Sequence, residues 1–184
     1  IGDSTENVIE NRRRVFAAVE RDPKSLFDVW QVHGTEVTFA DHPRNLAIPP
    51  MKSDAIFTNN PAVTLLMRFA DCVPIIIYDP VKQVVGIIHA GWMGTVNHIA
   101  DKAISEVRNR YGSAPGDIVA AIGPSIGPDH YFVGEDVYNQ ARAVFKDDQS
   151  GILTKENGKF VLNLWKANEH HLRKAGVQKI NQAN

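Results

Sequence analysis

The chain of 184 residues is long enough for one domain with a sizeable core, and its 43% hydrophobic content is that of an ordinary globular protein. Its 20 Lys and Arg against 21 Asp and Glu leave a formal charge of -1, which excludes a global field that recruits nucleic acid or an anionic membrane surface. A single cysteine excludes an internal disulfide and no apolar run approaches the roughly 20 residues of a membrane span, so the sequence points to a reducing, cytoplasmic setting.

In "GDSTENVIENRRRVFAAVERDP", Asp3 is the expected N-cap with Glu6 three residues on, and Val8, Val15, Phe16 and Val19 recur at mostly helical spacing before Pro23. This is an amphipathic helix whose Arg12, Arg13 and Arg14 form a solvated basic face. "LFDVWQVHGTEVTFA" alternates around Val29, Gln31, Val32 and Val37 and reads as two short strands meeting near His33-Gly34. "DHPRNLAIPPMKSD" is a surface loop, and Asn59-Asn60-Pro61 marks a turn between strands. Pro74 to Tyr78 and Val84 to Ile88 are β-rich runs around "DPVKQ" and predict an antiparallel hairpin. With its turn centred on Val81, Tyr78 faces Val84, Val73 lies opposite His89 and Cys72 opposite Ala90. Further on, Val96, Ile99, Ala100, Ala103, Val107 and Tyr111 line one helical face with Gly112 as its stop. "EDVYNQARAVF" predicts a shorter helix, and "FVLNLWKANEHHLRKAG" another that ends at Gly176. Strands and helices are mixed and no linker divides them, so residues 1–184 are read as a single α+β (mixed α/β) layered domain.

The hairpin brings Cys72 and His89, seventeen residues apart, close enough to share a metal or to form a Cys-His pair. A lone cysteine is commonly a small core hydrophobe, and a histidine at a strand end is commonly just hydrogen-bonded. Their company points elsewhere. Asp71 precedes Cys72, and His89 is followed by Ala90-Gly91-Trp92 and Gly94, a strand, glycine turn and helix start suited to binding an anion. His33, also at a strand end before a glycine, is the best third ligand, and a Cys/His/His set with an open fourth position is the logic of a catalytic zinc site. His42, His98, His130, His170 and His171 fall on loops or helix faces and receive no role.

"QVHG" at residues 31–34, "ADCVPI" at 70–75, "HAGW" at 89–92 and "IGPSIGP" at 122–128 together resemble the laccase-domain, or YfiH-like, family, whose members are known as polyphenol oxidases and as purine nucleoside phosphorylases. The resemblance covers nearly the whole chain and implies a layered α/β/β/α sandwich, the YfiH-like cysteine hydrolase fold, with the chain trimmed at both ends relative to the family. It also implies zinc on His33, Cys72 and His89, and phosphorolysis of adenosine, inosine and methylthioadenosine with phosphate as co-substrate. Family members also deaminate adenosine, and bacterial members have been linked to peptidoglycan editing. Two departures stand out. Met93 follows HAGW where the family usually has arginine, and Phe132 stands in "DHYFVG" where a carboxylate is common.

The leading expectation is therefore a zinc-dependent purine nucleoside phosphorylase with adenosine deaminase activity. Cys72, His89, His33 and Asp71 are its catalytic group, with Asp71 orienting or deprotonating a water, and Arg68 substitutes as the anion contact for the missing arginine. The alternatives are a metal-free Cys-His hydrolase or amidase, a copper polyphenol oxidase, and a zinc-binding protein that has lost turnover. Copper ranks low, because multicopper clusters typically rely on His-x-His pairs and the chain has none.

Overall fold

The computed structural model describes residues 2–146 and 151–183. Its centre is a mixed six-stranded sheet in the order β11 (Lys179–Gln182), β7 (Val119–Ile122), β5 (Val73–Asp79), β6 (Val84–Ala90), β3 (Ala55–Thr58) and β2 (Val37–Phe39). The outer pairs β11–β7 and β2–β3 are parallel, and the inner pairs are antiparallel. Two smaller sheets flank it: β1 (Leu26–Asp28) beside β4 (Thr64–Leu66), and the antiparallel set β8 (Phe132–Val133), β10 (Lys159–Leu162) and β9 (Leu153–Glu156). Among the described residues five α-helices complete this mixed α+β architecture: α1 (Thr5–Ala18), α2 (Trp92–Val96), α3 (Ile99–Tyr111), α4 (Glu135–Val144) and α5 (Leu164–Lys174). Among the described residues no helix is long and apolar enough to cross a membrane.

The alternation of β5 and β6 separates two faces. Val73, Ile75, Ile77, Val84, Ile88 and Ala90 are fully buried in the cluster that holds Ile99, Ala100, Ala103 and Val107 of α3 and Leu164, Ala167 and Leu172 of α5. Burying each Val, Ile or Leu side chain there contributes about 1.5–3 kcal/mol, which makes this face the core. Gly86 lies in the same layer because a Cβ there would stand 2.0 Å from the Phe57 ring, which fills the notch from the neighbouring strand. The other face keeps Ile76, Tyr78 and Val85 exposed, and His89 lies on it.

The hairpin is present, but its register differs by one residue from the predicted one: Tyr78 pairs with Val85, Pro74 with His89 and Val73 with Ala90. The loop is one residue shorter than predicted: Asp79 pairs with Val84 and leaves four residues between the strands, where a turn centred on Val81 leaves five between Tyr78 and Val84. Asp79 Oδ1 accepts the backbone N–H groups of Val81 and Lys82 at 2.8 and 3.0 Å, and Gln83 adopts a left-handed φ of 54° before β6 begins. The slip matters because side chains alternate faces. Extending the observed register places Cys72 opposite Gly91 and on the same face as His89, whereas the predicted register puts those two side chains on opposite faces.

Other differences are local. The cap of α1 is Ser4, whose Oγ accepts from Asn7 N at 3.2 Å, while Asp3 takes the Asn7 side chain at 2.7 Å. The two short strands do not meet near His33-Gly34: β1 ends at Asp28 and pairs with β4, β2 begins at Val37 and pairs with β3, and bends lie between them. The helix expected from Phe160 begins only after Asn163, whose side chain caps Lys166 N at 3.0 Å; Phe160 to Leu162 pair as a strand. The helix α2 opens at Trp92, two residues before Gly94.

Candidate functional site

Asp54 is the residue around which the site is built. It stands immediately before β3, is fully buried, and its carboxylate receives four donors. The backbone N–H groups of Val32, His33 and Gly34 reach it at 3.2, 2.9 and 2.7 Å, a run of successive amides curled around one anion. That curl gives His33 its left-handed φ of 60° and turns its side chain out at the exposed bend. The fourth partner is Nδ1 of His89, 2.9 Å from Asp54 Oδ1. Burial pushes the Asp54 pKa up, but the His89 side chain and the three amides outweigh it and hold the carboxyl below its ordinary range.

His33, Cys72 and His89 place one donor atom each within 4.8 Å of one another. The rings of His33 and His89 meet edge to face with centroids 4.9 Å apart, and the Phe69 ring lies 5.5 Å from that of His89. Gly91 is needed for this approach, since a Cβ there would come 2.9 Å from Cys72 Sγ and 3.1 Å from His33 Cδ2. Two imidazoles and a thiol converging at this separation suit a tetrahedral zinc ion with one position left for water or substrate. Asp54 on the far nitrogen of His89 is the carboxylate–histidine arrangement that fixes a ligand's tautomer and orientation.

Burial pulls the His89 pKa down, but hydrogen bonds and charge from Asp54 and Cys72 outweigh it and raise it from 6.5 to about 9. Without metal, the protonated His89 therefore contributes stability that is fully present below pH 6.5 and is lost as the pH rises through about 9. In chelator, the urea midpoint of the wild type is expected to fall more between about pH 6 and about pH 9.5 than that of His89→Gln. Equal falls for the two proteins would contradict this ion pair.

The other candidates are placed as follows. Asp71 is exposed, and its backbone carbonyl accepts Ile126 N at 3.1 Å, tying the "IGPSIGP" loop to the segment that carries Cys72. Ser125 of that loop accepts from Trp165 Nε1 at 2.6 Å. Arg68 is not turned freely toward an anion: its guanidinium lies 3.2 Å from Asp28, and its backbone N–H and C=O are both held by the Gln31 side chain. Met93, on α2, is 41% exposed. Two contributors are missing from the sequence reading. Asp54 carries the signal of an acid directly before a wholly buried strand, and Tyr131 has its pKa raised by burial first and then by neighbouring Cys72 and Asp71.

The chain is similar to several known proteins. The chain is 38% identical over 175 residues to a protein of Deinococcus radiodurans named purine nucleoside phosphorylase, covering 95% of this chain and 66% of that one. It is 32% identical over 188 residues to a protein from an unknown prokaryotic organism named adenosine deaminase RL5, covering 98% of this chain and 71% of that one. The crystal structure of YlmD from Geobacillus stearothermophilus superposes with a TM-score of 0.93 at 31% identity, covering all of this chain and 72% of that one. The chain thus spans about two thirds of the length of the proteins it matches. A family model described as multi-copper polyphenol oxidoreductase laccase matches residues 1–184, and the chain belongs to that family.

Proposed function

We propose that this protein is a zinc-dependent purine nucleoside phosphorylase acting on adenosine, inosine and methylthioadenosine, with adenosine deamination as a second activity of the same site. The observation that carries the reading is the convergence of His33, Cys72 and His89, braced by the buried Asp54. The architecture that goes with this reading is an α/β/β/α sandwich in which the six-stranded sheet would form one β layer.

His33, Cys72 and His89 hold the metal, Cys72 as thiolate and both imidazoles neutral. When bound, zinc supplies a Lewis acid at the open edge of the site. Zinc is preferred over a multicopper cluster because such clusters typically rely on His-x-His pairs, which the chain lacks. In phosphorolysis a phosphate oxygen forms a bond to ribose C1′ as the glycosidic C–N bond breaks; its electron pair leaves with the base, which takes up a proton. Arg68 contacts the phosphate. Its guanidinium is 61% exposed with a single 3.2 Å contact to Asp28, and Arg44 at 2.6 Å keeps Asp28 paired when Arg68 turns away. Asp71 orients the attacking group and, in deamination, accepts its proton.

One observation favours a second reading, a metal-free Cys-His hydrolase or amidase. Cys72, His89 and Asp54 are linked in the order nucleophile, base and orienting carboxylate. His33 has no part in such a triad. Liquid chromatography of products from zinc-loaded and chelated protein, with and without phosphate, separates the two. Free base that requires phosphate and disappears on chelation is expected. Turnover that survives strong chelation would favour the hydrolase, and inosine from adenosine without any base release would leave deamination alone.

A further inference from the structure

A second group of metal-ligating side chains lies apart from the site around Asp54. His98, Asp101 and His171 place donor atoms within 4.8 Å of one another. His98 is the N-cap of α3, Asp101 lies in its first turn, and His171 comes from α5, which packs against α3. Nδ1 of His98 is 3.0 Å from Asp101 Oδ2, and Nδ1 of His171 is 3.1 Å from the same oxygen. The two imidazoles meet edge to face with centroids 4.6 Å apart.

His171 is the informative member. It is 1% exposed, and neither of its ring nitrogens has a hydrogen-bond partner among the described residues. Its Nδ1 is close to Asp101 without the alignment of a hydrogen bond, and the Phe145 ring closes in at 5.0 Å. A buried polar ring left unsatisfied costs stability that a phenylalanine or leucine would not. A cation between the donors gives one of the two ring nitrogens, Nδ1 beside Asp101, its partner. A tetrahedral ion with bonds of about 2.0–2.1 Å spaces its ligand atoms by about 3.3 Å, near the observed 3.0 and 3.1 Å.

We propose that His98, Asp101 and His171 form a second site, for a divalent transition metal of the zinc class, which clamps the start of α3 to α5. Two imidazoles and a carboxylate suit zinc, cobalt or nickel, whereas magnesium and calcium take oxygen ligands. Entry is from solvent, since the His98 and Asp101 side chains are 43% and 26% exposed. The clamp fastens two helices that cover the core face of the sheet, so its expected effect is on stability.

Cobalt(II) is the probe, in a protein whose other site is removed by His33→Ala with Cys72→Ala. That double variant is expected to bind about one equivalent of cobalt, with visible d–d absorption, without a thiolate charge-transfer band, and with a raised thermal midpoint. Adding His98→Asn should weaken cobalt binding at least about 10-fold and abolish the thermal shift. Asparagine tolerates the left-handed φ of 63° at this cap, so the fold is retained. Asp101→Asn gives an independent check with the same expected loss. No cobalt uptake by the double variant at micromolar metal, or unchanged affinity in both ligand variants, would overturn the proposal.

Discussion

Asp54→Ala is expected to lower zinc affinity at His33, Cys72 and His89 by roughly 10–100-fold and to destabilise the protein by about 3–5 kcal/mol. Each carboxylate oxygen of Asp54 accepts two donors: Oδ1 takes His33 N and His89 Nδ1, and Oδ2 takes Val32 N and Gly34 N. Alanine leaves all four without their buried acceptor and frees the bend that presents His33. Asparagine does not rescue, because whichever position its NH2 group occupies confronts two donors. Zinc competition against a chromophoric chelator and urea unfolding check both effects. Zinc affinity within about twofold of wild type would show that Asp54 braces the fold without ordering the ligands.

Cys72→Ala is expected to reduce kcat/KM for phosphorolysis by about 10³-fold, the order of effect of losing several kcal/mol of metal-supplied stabilisation, while leaving the fold in place. Cys72 lies just outside β5 and away from the core face, so its truncation opens no cavity among Val73, Ile75 and Ile88. Bound zinc, measured by mass spectrometry of the native protein, should fall in parallel with activity. Retained activity with lost zinc would separate the metal from the reaction. Lost activity with full zinc would return Cys72 to the role of nucleophile.

How far the sequence could be read depended on the range of the interactions involved. The β-rich runs Pro74 to Tyr78 and Val84 to Ile88 on either side of "DPVKQ" are sufficient to identify the central hairpin. Register was not legible, because it depends on Asp79 capping the turn amides and on the left-handed Gln83, neither of which a simple turn count includes. Cys72 and His89 stand out in the sequence by their position at the strand ends, yet only the observed register puts them on one face. "FVLNLW" offered no period long enough to separate a strand from a helix, and Asn163 marks the change only once its capping bond is seen.

Asp54 lay hidden for a different reason. Its partners are 20 to 22 residues before it and 35 after it, and "KSD" at the end of a proline-rich loop has the look of solvent-facing sequence. His98 and His171 were set aside as helix-face residues because their meeting depends on how α3 packs against α5, which their local patterns do not specify. Arg68 is a case of the same kind: its pairing with Asp28 and with the Gln31 side chain joins segments distant in sequence, which no local pattern specifies.

The most direct measurement is phosphorus NMR of zinc-loaded protein incubated with inosine and inorganic phosphate. A new sugar-phosphate resonance that grows in step with free hypoxanthine, and is absent from Cys72→Ala, is the expected result. Hypoxanthine released with no sugar phosphate would mean that water attacks C1′, and would contradict phosphorolysis.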